Sequence, residues 1–420
     1  MSLLKLALKS VRHRWFSTLA TVFSLTLSLL LLFSVERVQR SLKESFTQTV
    51  SGVDLIVGAR TGSLQLVLYS VFNIGQATNN ISYENYQKIA ARHEVEWTIP
   101  YSLGDGHKGY RVVATDNNFF KHYRYRSQQN IELQEGRTLE GYFDVVLGAE
   151  VAKSLNYKIG DKIILVHGST TGDSFQSHED KPFTIVGIMK PTGTALDRSL
   201  YISLQGMEAI HIDWKTGAAP SPEQVITVDK ITSEMVKPQA ITSFFLKTKN
   251  RIQVLNLQRE ITNDTGEALL AVIPGVVLSE LWQSLSQVEV VLKIISSLVM
   301  VVGLIGMMIA LLTSLNERRR EIAILRSLGA KTSVVAKLII FEVSFILTFS
   351  ILVSALMKIV LEFILSDYLK QRFGLFLSTP LFSIADIFIM VVMFGAGLVF
   401  SIAPVIAFRY RSLKDGLAVK

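Results

Sequence analysis

The sequence has 420 residues, of which 49% are hydrophobic, and 43 Lys and Arg against 35 Asp and Glu give a formal net charge of +8. It has no cysteine, which excludes disulfides, a thiol nucleophile and a cysteine metal site. A mean hydropathy of +0.36 and long uncharged stretches predict a membrane protein. In a membrane protein, Lys and Arg mark the cytoplasmic segments and contact lipid headgroups. These two roles explain the positive net charge without a nucleic-acid partner.

Three stretches carry no charged side chain and are long enough to cross about 30 Å of hydrocarbon as helices. They are residues 15–35, 294–316 and 387–408. A further span over residues 334–365 is interrupted by Glu342, Lys358 and Glu362. We expect Glu342 to lie near one membrane surface and Lys358 to reach the other. The sequence therefore predicts four transmembrane helices.

Lys and Arg cluster before the first helix, between the second and third, and after the fourth, which predicts that these three segments are cytoplasmic. The predicted boundaries are a cytoplasmic basic amphipathic segment (1–14), helix 1 (15–36), an extracytoplasmic domain with stalk ends (37–288), helix 2 (289–315), a cytoplasmic loop (316–333), helix 3 (334–365), a short outer loop (366–384), helix 4 (385–408) and a cytoplasmic tail (409–420).

Small residues recur at four-residue steps on the first two helices, a spacing that permits close helix packing in a bundle or a dimer. They are Ala20, Ser24 and Ser28 in helix 1, and Gly306, Ala310 and Ser314 in helix 2. The sequence shows no relay of intramembrane charges, which argues against an ion channel or a secondary transporter.

The segment between helices 1 and 2 predicts an α+β domain. Its predicted helices are 82–92 and 149–155, and its predicted strands are 111–114, 145–147, 162–167, 183–189 and 200–202. A loop is predicted over residues 217–239. From residue 279, apolar side chains at helical spacing predict a helical stalk that leads into helix 2. The apolar stretch 52–75 leaves three alternatives open: core, dimer contact or substrate cavity.

Catalytic motifs are missing from the sequence. Neither a phosphate-binding G-x-x-x-x-G-K-[ST] loop, nor a G-x-S-x-G elbow, nor an H-E-x-x-H zinc helix occurs, so we predict a non-catalytic chain that binds no nucleotide itself. One polar stretch does carry possible metal ligands, namely His167, Asp173, His178, Glu179 and Asp180. Their spacing matches no defined site, so a metal site and a solvated loop both remain open.

The loop between helices 2 and 3 has a distinctive sequence, NERRREIAILRSLGA, over residues 316–330. As a helix it places Ile322, Leu325 and Gly329 near one face, and Gly329 is a suitable helix stop. From these residues alone, contact with lipid headgroups and contact with a protein partner remain open.

The pattern E-R-x-x-E-I-x-x-L-R-x-L-G-A resembles the signature of FtsX- and MacB-type, mechanotransmission ABC transporter permeases. It is carried by Glu317, Arg318, Glu321, Ile322, Leu325, Arg326, Leu328, Gly329 and Ala330. Residues 145–165 and 183–204 resemble the extracytoplasmic core segment of the same superfamily. The chain differs from the single-polypeptide macrolide exporters in lacking a fused nucleotide-binding domain, and it has four spans rather than ten.

The resemblance implies an α-helical membrane protein with four transmembrane helices and a large α+β extracytoplasmic domain between the first and second. It implies a multi-pass permease subunit of the bacterial inner (plasma) membrane, with both termini cytoplasmic and the large domain periplasmic or extracellular. Its partners would be a dimer of separate ATPase subunits, which bind ATP and Mg, and a second permease copy or a related permease. A periplasmic adaptor, a lipoprotein or a hydrolase is a further class of partner.

In this family the segment from Glu317 to Ala330 would be the coupling helix that docks on the ATPase. Ile322 and Leu325 would supply apolar contacts, Arg318 and Arg326 polar contacts, and Glu321 an orienting pair. The resemblance implies that ATP hydrolysis moves the outer domain to export or extract a substrate. The alternative is an FtsX-like regulator that activates a periplasmic or cell-wall hydrolase without transport.

Overall fold

The computed structural model of the protein describes residues 15–126, 128–167, 178–214, 226–317, 332–373 and 382–415. The chain divides into two compact units. We call Met1–Ser41, Leu285–Tyr368 and Leu377–Lys420 the helical unit, and Leu42–Ser284 with Leu369–Phe376 the sheet unit. This division agrees with the predicted fold class, in which an α+β domain is inserted between the first and second long helices.

The described residues contain ten α-helices. In chain order they are α1 (Trp15–Gln48), α2 (Ser63–Val71), α3 (Tyr83–Ala90), α4 (Asn117–His122), α5 (Ala149–Leu155), α6 (Leu204–His211), α7 (Val254–Thr262), α8 (Pro274–Glu317), α9 (Thr332–Phe373) and α10 (Ile384–Asp415).

Fifteen strands occur in the same residues. They are β1 (Leu55–Ala59), β2 (Ile81–Ser82), β3 (Val95–His107), β4 (Tyr110–Thr115), β5 (Arg124–Tyr125), β6 (Gln129–Asn130), β7 (Leu133–Gly136), β8 (Asp144–Leu147), β9 (Lys162–Ile163), β10 (Val166–His167), β11 (Phe183–Met189), β12 (Ser199–Ser203), β13 (Ala240–Ile241), β14 (Ser243–Thr248) and β15 (Leu269–Val272).

Helices α1, α8, α9 and α10 are each long and apolar enough, by length and composition, to cross a membrane. They match the four predicted spans, but they extend further than the uncharged stretches. Helix α8 is 44 residues long, which is about 66 Å at 1.5 Å per residue. It begins at Pro274, among residues of the sheet unit, and ends at Glu317, among residues of the helical unit. Helices α1 and α8 therefore both run along the chain from one unit into the other.

The sheet unit is built on one large mixed sheet with the strand order β15-β1-β14-β3-β4-β12-β8-β11-β7. Strand β10 pairs with β3, and β9 pairs with β11. The predicted strand over 162–167 is thus two short strands that pair with different partners. The other four predicted strands are confirmed, as is the helix over 149–155, and the predicted helix over 82–92 is the shorter α3.

Both faces of this sheet are covered by apolar layers. Successive residues of one strand point to opposite faces, so Val145 and Leu147 join one buried cluster while Val146 joins the other. Helices α3, α5, α6 and α7 contribute to the first layer, and α2, α4 and the start of α8 contribute to the second. The central strands are therefore apolar on both sides.

The apolar stretch 52–75 forms β1 and α2. Leu55 and Val57 are buried in one layer, whereas Ile56, Leu66 and Tyr69 are buried in the other. Of the three alternatives for this stretch, the structure therefore supports core.

The helical unit has its own apolar core, made by α1, α8, α9 and α10. Its buried residues are Val22, Leu25, Leu29, Phe33, Leu304, Met307, Leu311, Val335, Ile339, Val343, Ile346, Leu347 and Met393. Many large apolar side chains on the outer faces of these helices, such as Phe23, Val302 and Phe388, are exposed. Helices with apolar side chains all around are typical of a membrane environment.

Candidate functional site

Most of the predicted coupling segment lies outside the described residues. Glu317 is the last residue of α8, and α9 begins at Thr332. The other predicted coupling residues, Arg318, Glu321, Ile322, Leu325, Arg326, Gly329 and Ala330, fall between these two helices and are not among the described residues. Their role stays a prediction.

The six small residues predicted to pack helices lie in different surroundings. Ser28 is buried, whereas Ala20, Ser24 and Gly306 are exposed, and Ala310 and Ser314 are half-buried. A close contact between α1 and α8 lies at Gly303, a glycine that the four-residue spacing does not select. An ideal Cβ at Gly303 would lie only 2.9 Å from Ser28 Oγ, whereas at Gly306 it would meet nothing within 4 Å.

Charged side chains are buried in the helical unit, and they occur in pairs. Lys358 Nζ lies 2.8 Å from Asp386 Oδ2, and Arg37 Nε lies 3.0 Å from Glu362 Oε1. Lys358 has a partner within the protein, and the expectation that it reaches the membrane surface stays a prediction. Its side chain is only 5% exposed because Asp386, one residue before the predicted uncharged stretch, supplies a partner for it.

Asp386 also fixes the start of α10. Its carboxylate accepts hydrogen bonds from the backbone N–H and the hydroxyl of Ser383, at 2.7 and 2.9 Å. In return, the Ser383 hydroxyl accepts from the Asp386 N–H at 3.2 Å. This reciprocal arrangement is a capping box. These contacts join α9 and α10 through a charged pair that the sequence reading did not predict.

Glu342, another charged residue of the predicted third span, is buried. It lines a small cavity with Ser17, Thr21, Ala310 and Ser314, which come from α1 and α8. Two of the predicted small residues, Ala310 and Ser314, therefore line the same cavity as Glu342.

The sheet unit contains a separate cluster of polar side chains made by Asp105, His167, His178 and His211. One possible ligand atom from each residue lies within 4.8 Å of the ligand atoms of the others. Asp105 and His167 are directly opposite on β3 and β10. His211 is the last residue of α6, and His178 is held by a 3.0 Å hydrogen bond from its N–H to the Leu165 carbonyl.

The carboxylate of Asp105 is at the centre of this cluster. His167 Nδ1 lies 3.3 Å from Oδ1, and His211 Nε2 and His178 Nε2 lie 3.6 and 3.8 Å from Oδ2. His211 Nε2 is also 3.3 Å from His167 Nδ1. The side chains of Asp105 and His178 are fully buried, whereas that of His211 is 28% exposed and that of His167 is 52% exposed. The cluster therefore opens to solvent on the side of His167.

Neighbouring residues hold the cluster in place. His211 Nδ1 lies 2.8 Å from the Met207 carbonyl, which fixes the orientation of that ring. The Trp214 ring packs on His178 with centroids 4.6 Å apart. Lys181 is fully buried and its Nζ contacts Asp180 at 2.7 Å and Asp213 at 2.6 Å, which ties the segment after His178 to the end of α6.

Electrostatics favour an ionised Asp105 and a neutral His178. Burial raises the pKa of the Asp105 carboxyl, but His167 and His211 lower that pKa more, to about 2. Burial lowers the pKa of His178 to about 4, against the opposing influence of Asp105. At neutral pH the cluster thus offers a carboxylate and an imidazole in the protonation states that bind metal ions.

The sequence identified only two members of this cluster, His167 and His178. Of the other residues in that polar stretch, Asp173 lies outside the described residues, Asp180 binds Lys181, and Glu179 is not in the cluster. Asp105 and His211 were missed, because no local spacing links them to the histidines. Only the pairing of β10 with β3 and the packing of α6 bring them together.

Comparisons with known proteins agree with the division of the chain. The MacB-like periplasmic core domain matches residues 15–263, and the FtsX-like permease C-terminal domain matches residues 293–414. No curated protein matches the sequence closely enough to count as a relative.

The solved structures similar to this chain include two extracytoplasmic domains. The periplasmic region of MacB from Actinobacillus actinomycetemcomitans is 10% identical with a TM-score of 0.36, and the match covers 56% of this chain and 94% of that one. The extracellular domain of the noncanonic ABC-type transporter YknZ from Gram-positive bacteria is 10% identical with a TM-score of 0.28, covering 52% and 98%. The two family matches together span both units of the fold, and the chain therefore belongs to the MacB/FtsX-type family of ABC transporter permeases.

Proposed function

We propose that this chain is the membrane subunit of an ABC transporter in which ATP hydrolysis by a separate ATPase dimer moves the sheet unit. The movement would export a substrate or extract it from the membrane. In this proposal the chain itself is not catalytic. It would act as a dimer with a second copy or a related permease, with both termini cytoplasmic and the sheet unit on the opposite side of the membrane.

The observation that carries the proposal is the length and position of α8. At about 66 Å, this helix is twice as long as the hydrocarbon layer is thick, so a large part of it must extend beyond the membrane. Its last residue, Glu317, is also the first residue of the predicted coupling segment. A displacement of that segment by an ATPase can therefore act directly on the helix that leads into the sheet unit.

The sheet unit is suited to movement as one body. Its sheet is covered on both faces by apolar layers, and ion pairs such as Lys181 with Asp213 and Arg137 with Asp144 are internal to the unit. Closely packed interiors transmit strain rather than absorb it.

A co-purification experiment tests the coupling segment. The full chain with Glu321→Lys and Ile322→Asp should lose its partner ATPase subunit on co-purification, because a charge then replaces an apolar contact. The matched control carries Glu234→Lys and Ile252→Asp, which makes the same two substitutions at exposed positions of the sheet unit. Undiminished ATPase binding by the first variant would refute the coupling role.

The absence of cysteine from the sequence allows a direct test of orientation. A single cysteine at Ile252, which is 81% exposed, should react with a membrane-impermeant maleimide in intact cells whose outer membrane has been permeabilised. A single cysteine at Ser327 should react only after the inner membrane is opened. The reverse pattern would overturn the proposed topology.

A further measurement separates transport from regulation. Stimulation of the ATPase of the reconstituted complex by a transported compound supports transport. Loss of a cell-wall hydrolase activity on deletion of the gene, without such stimulation, supports the regulator.

A further inference from the structure

The Asp105, His167, His178 and His211 cluster has the composition and the geometry of a metal site. We propose that these four residues bind one divalent transition-metal ion, of which zinc is the best fit, in the sheet unit. The site is independent of the proposed transport function, because all four ligands belong to the sheet unit and none lies in the predicted coupling segment.

The first argument is the spacing of the ligand atoms. A tetrahedral zinc ion with nitrogen and oxygen ligands at about 2.0–2.1 Å has ligand atoms about 3.3 Å apart. The contacts of His167 Nδ1 with Asp105 Oδ1 and with His211 Nε2 are both 3.3 Å. The contacts of His211 and His178 with the other Asp105 oxygen are 3.6 and 3.8 Å. Small side-chain rotations would bring all four atoms onto one ion.

The second argument is the lack of hydrogen-bond partners for buried atoms. Among the described residues, both Asp105 carboxylate oxygens and both His178 ring nitrogens are buried and have no hydrogen bond of acceptable geometry. Buried polar atoms nearly always have a partner. A water molecule can donate only two hydrogens to these groups, whereas a cation can bind the carboxylate and the three imidazoles together.

The third argument is the support behind the ligands. Metal-binding histidines usually have the second ring nitrogen held by a carbonyl or a carboxylate. His211 follows this pattern, since its Nδ1 faces the Met207 carbonyl at 2.8 Å and its Nε2 faces the cluster. The buried Lys181 bridge to Asp213 holds the His178 segment against the end of α6.

The ligand set indicates the class of metal. Three imidazoles and one carboxylate suit zinc and neighbouring ions such as cobalt and nickel, whereas calcium and magnesium prefer oxygen ligands. Four protein ligands fill a tetrahedral zinc site, which is typical of structural rather than catalytic zinc. The ion would tie β3, β10, the segment at His178 and α6 together, and it would enter beside the partly exposed His167.

The test uses the full chain in detergent, purified with an affinity tag that contains no histidine and stripped with a chelator. We expect it to bind one equivalent of Zn²⁺ by calorimetry and elemental analysis, and to give the visible absorption bands of tetrahedral Co²⁺. Free Zn²⁺ at about 100 times its Kd should raise the Tm of the sheet unit by roughly 5–10 °C.

Variants identify the ligands. His178→Gln and Asp105→Asn should weaken Zn²⁺ binding by at least about 100-fold. His93→Gln, at a histidine whose side chain is 84% exposed and outside the cluster, is the matched control and should bind as the wild type does. Equal binding by all of these proteins, or no saturable binding by the wild type, would overturn the proposal.

Because a buried ligand variant can fail to fold, His167 provides the decisive pair of substitutions. Its side chain is the most exposed of the four, so His167→Ala should fold normally and lose the ion. His167→Cys should keep Zn²⁺ and, with Co²⁺, show a thiolate-to-cobalt band that the cysteine-free wild type cannot give. A His167→Cys protein that binds Co²⁺ without this band would show that position 167 is not a ligand.

Discussion

A buried carboxylate has different partners in the helical unit and in the sheet unit. In the helical unit, Asp386 has a lysine at 2.8 Å and a serine cap, so its charge is compensated within the chain. In the sheet unit, Asp105 is equally buried but faces three imidazoles at 3.3–3.8 Å instead of a lysine. A side chain in lipid must find its partner in the protein, whereas one in an aqueous domain can recruit an ion from solution.

The largest expected effect comes from breaking the pair in the helical unit. Asp386→Asn or Lys358→Ala leaves one buried charge without its partner, and we expect either variant to lose about 3–5 kcal/mol of unfolding free energy. Thermal unfolding of the detergent-solubilised chain measures the loss.

The double variant Lys358→Met with Asp386→Asn should recover most of this stability, since no charge is left buried and Asn can still cap α10. Lys88→Ala is the control and should leave the Tm unchanged, because the Lys88 and Glu84 side chains are 67% and 78% exposed and a pair in solvent contributes little. Wild-type stability of Asp386→Asn alone would mean that the charge pair does not matter for the bundle.

A second prediction concerns the contact of α1 with α8. Gly303→Val should destabilise the helical unit by about 1–3 kcal/mol, because the added carbons collide with Ser28 and Leu25. Gly306→Val is the matched control on the same helix, since a side chain there meets nothing within 4 Å. The difference in Tm between the two variants measures packing alone, because the helix propensity changes by the same amount in both.

Gly306 also tests the predicted dimer. If Gly306→Val keeps the stability of the monomer but lowers the fraction of dimer in light scattering, the predicted small-residue face is an intermolecular contact. An unchanged dimer fraction would remove Gly306 from that face.

A smaller effect on stability is expected for the ion pair of Asp144 with Arg137 in the sheet unit. The Asp144 carboxylate lies 2.6 Å from Arg137 and accepts hydrogen bonds from the backbone N–H groups of Glu140 and Gly141 at 2.9 and 2.7 Å. Asp144→Asn should therefore cost about 1 kcal/mol at neutral pH. Glu132→Gln, at an exposed pair with Lys190, is the control and should cause no measurable change.

The stability difference between the wild type and Asp144→Asn should change with pH in a definite direction. Burial raises the pKa of Asp144, but Arg137 and the two backbone N–H groups lower it below its ordinary value. The folded state then binds this proton less readily than the unfolded state does. The stabilisation by the carboxylate is thus complete above the unfolded pKa of about 4 and is lost as the pH falls through the lower folded pKa. Urea unfolding at several pH values would show the wild type approaching the variant in acid, and a gap that widens in acid would contradict the assignment.

The smallest effect is spectroscopic. The Trp214 ring is packed on His178, so Ni²⁺ bound by the cluster should quench its fluorescence. Trp214→Phe should bind Ni²⁺ with similar affinity by calorimetry but lose the quenching. Quenching that persists in Trp214→Phe would place the ion near another of the four tryptophans.

Much of the fold could be predicted from local pattern. The four long helices follow from length and lack of charge, and strands such as β8 and β12 follow from short runs of Val, Ile and Leu. Strand β1 was not predicted, because it lies with α2 in one apolar stretch, and apolar composition alone does not distinguish a buried strand from a buried helix. Helices α1 and α8 continue past the apolar stretches, and for α8 this fits the predicted stalk before helix 2.

The candidate site was less predictable than the fold, for a physical reason. The Asp105 and His167 pair depends on the register of β10 against β3, and His211 arrives through the packing of α6. The partner of Lys358 was missed in the same way, since Asp386 is close in space but 28 residues away in sequence. Neither the cluster around Asp105 nor the Lys358–Asp386 pair corresponds to a short sequence motif. By contrast, the predicted coupling residues form a motif within one segment, which the sequence could show by itself.

The double use of Asp386 has a consequence for how this chain can evolve. The same carboxylate sets the first turn of α10 through Ser383 and compensates Lys358 on α9. A substitution at any of these three positions disturbs the other two, so natural variants should change them together. An alignment of relatives should show correlated replacement at positions 358, 383 and 386, with an apolar residue at 358 wherever the acid at 386 has been replaced.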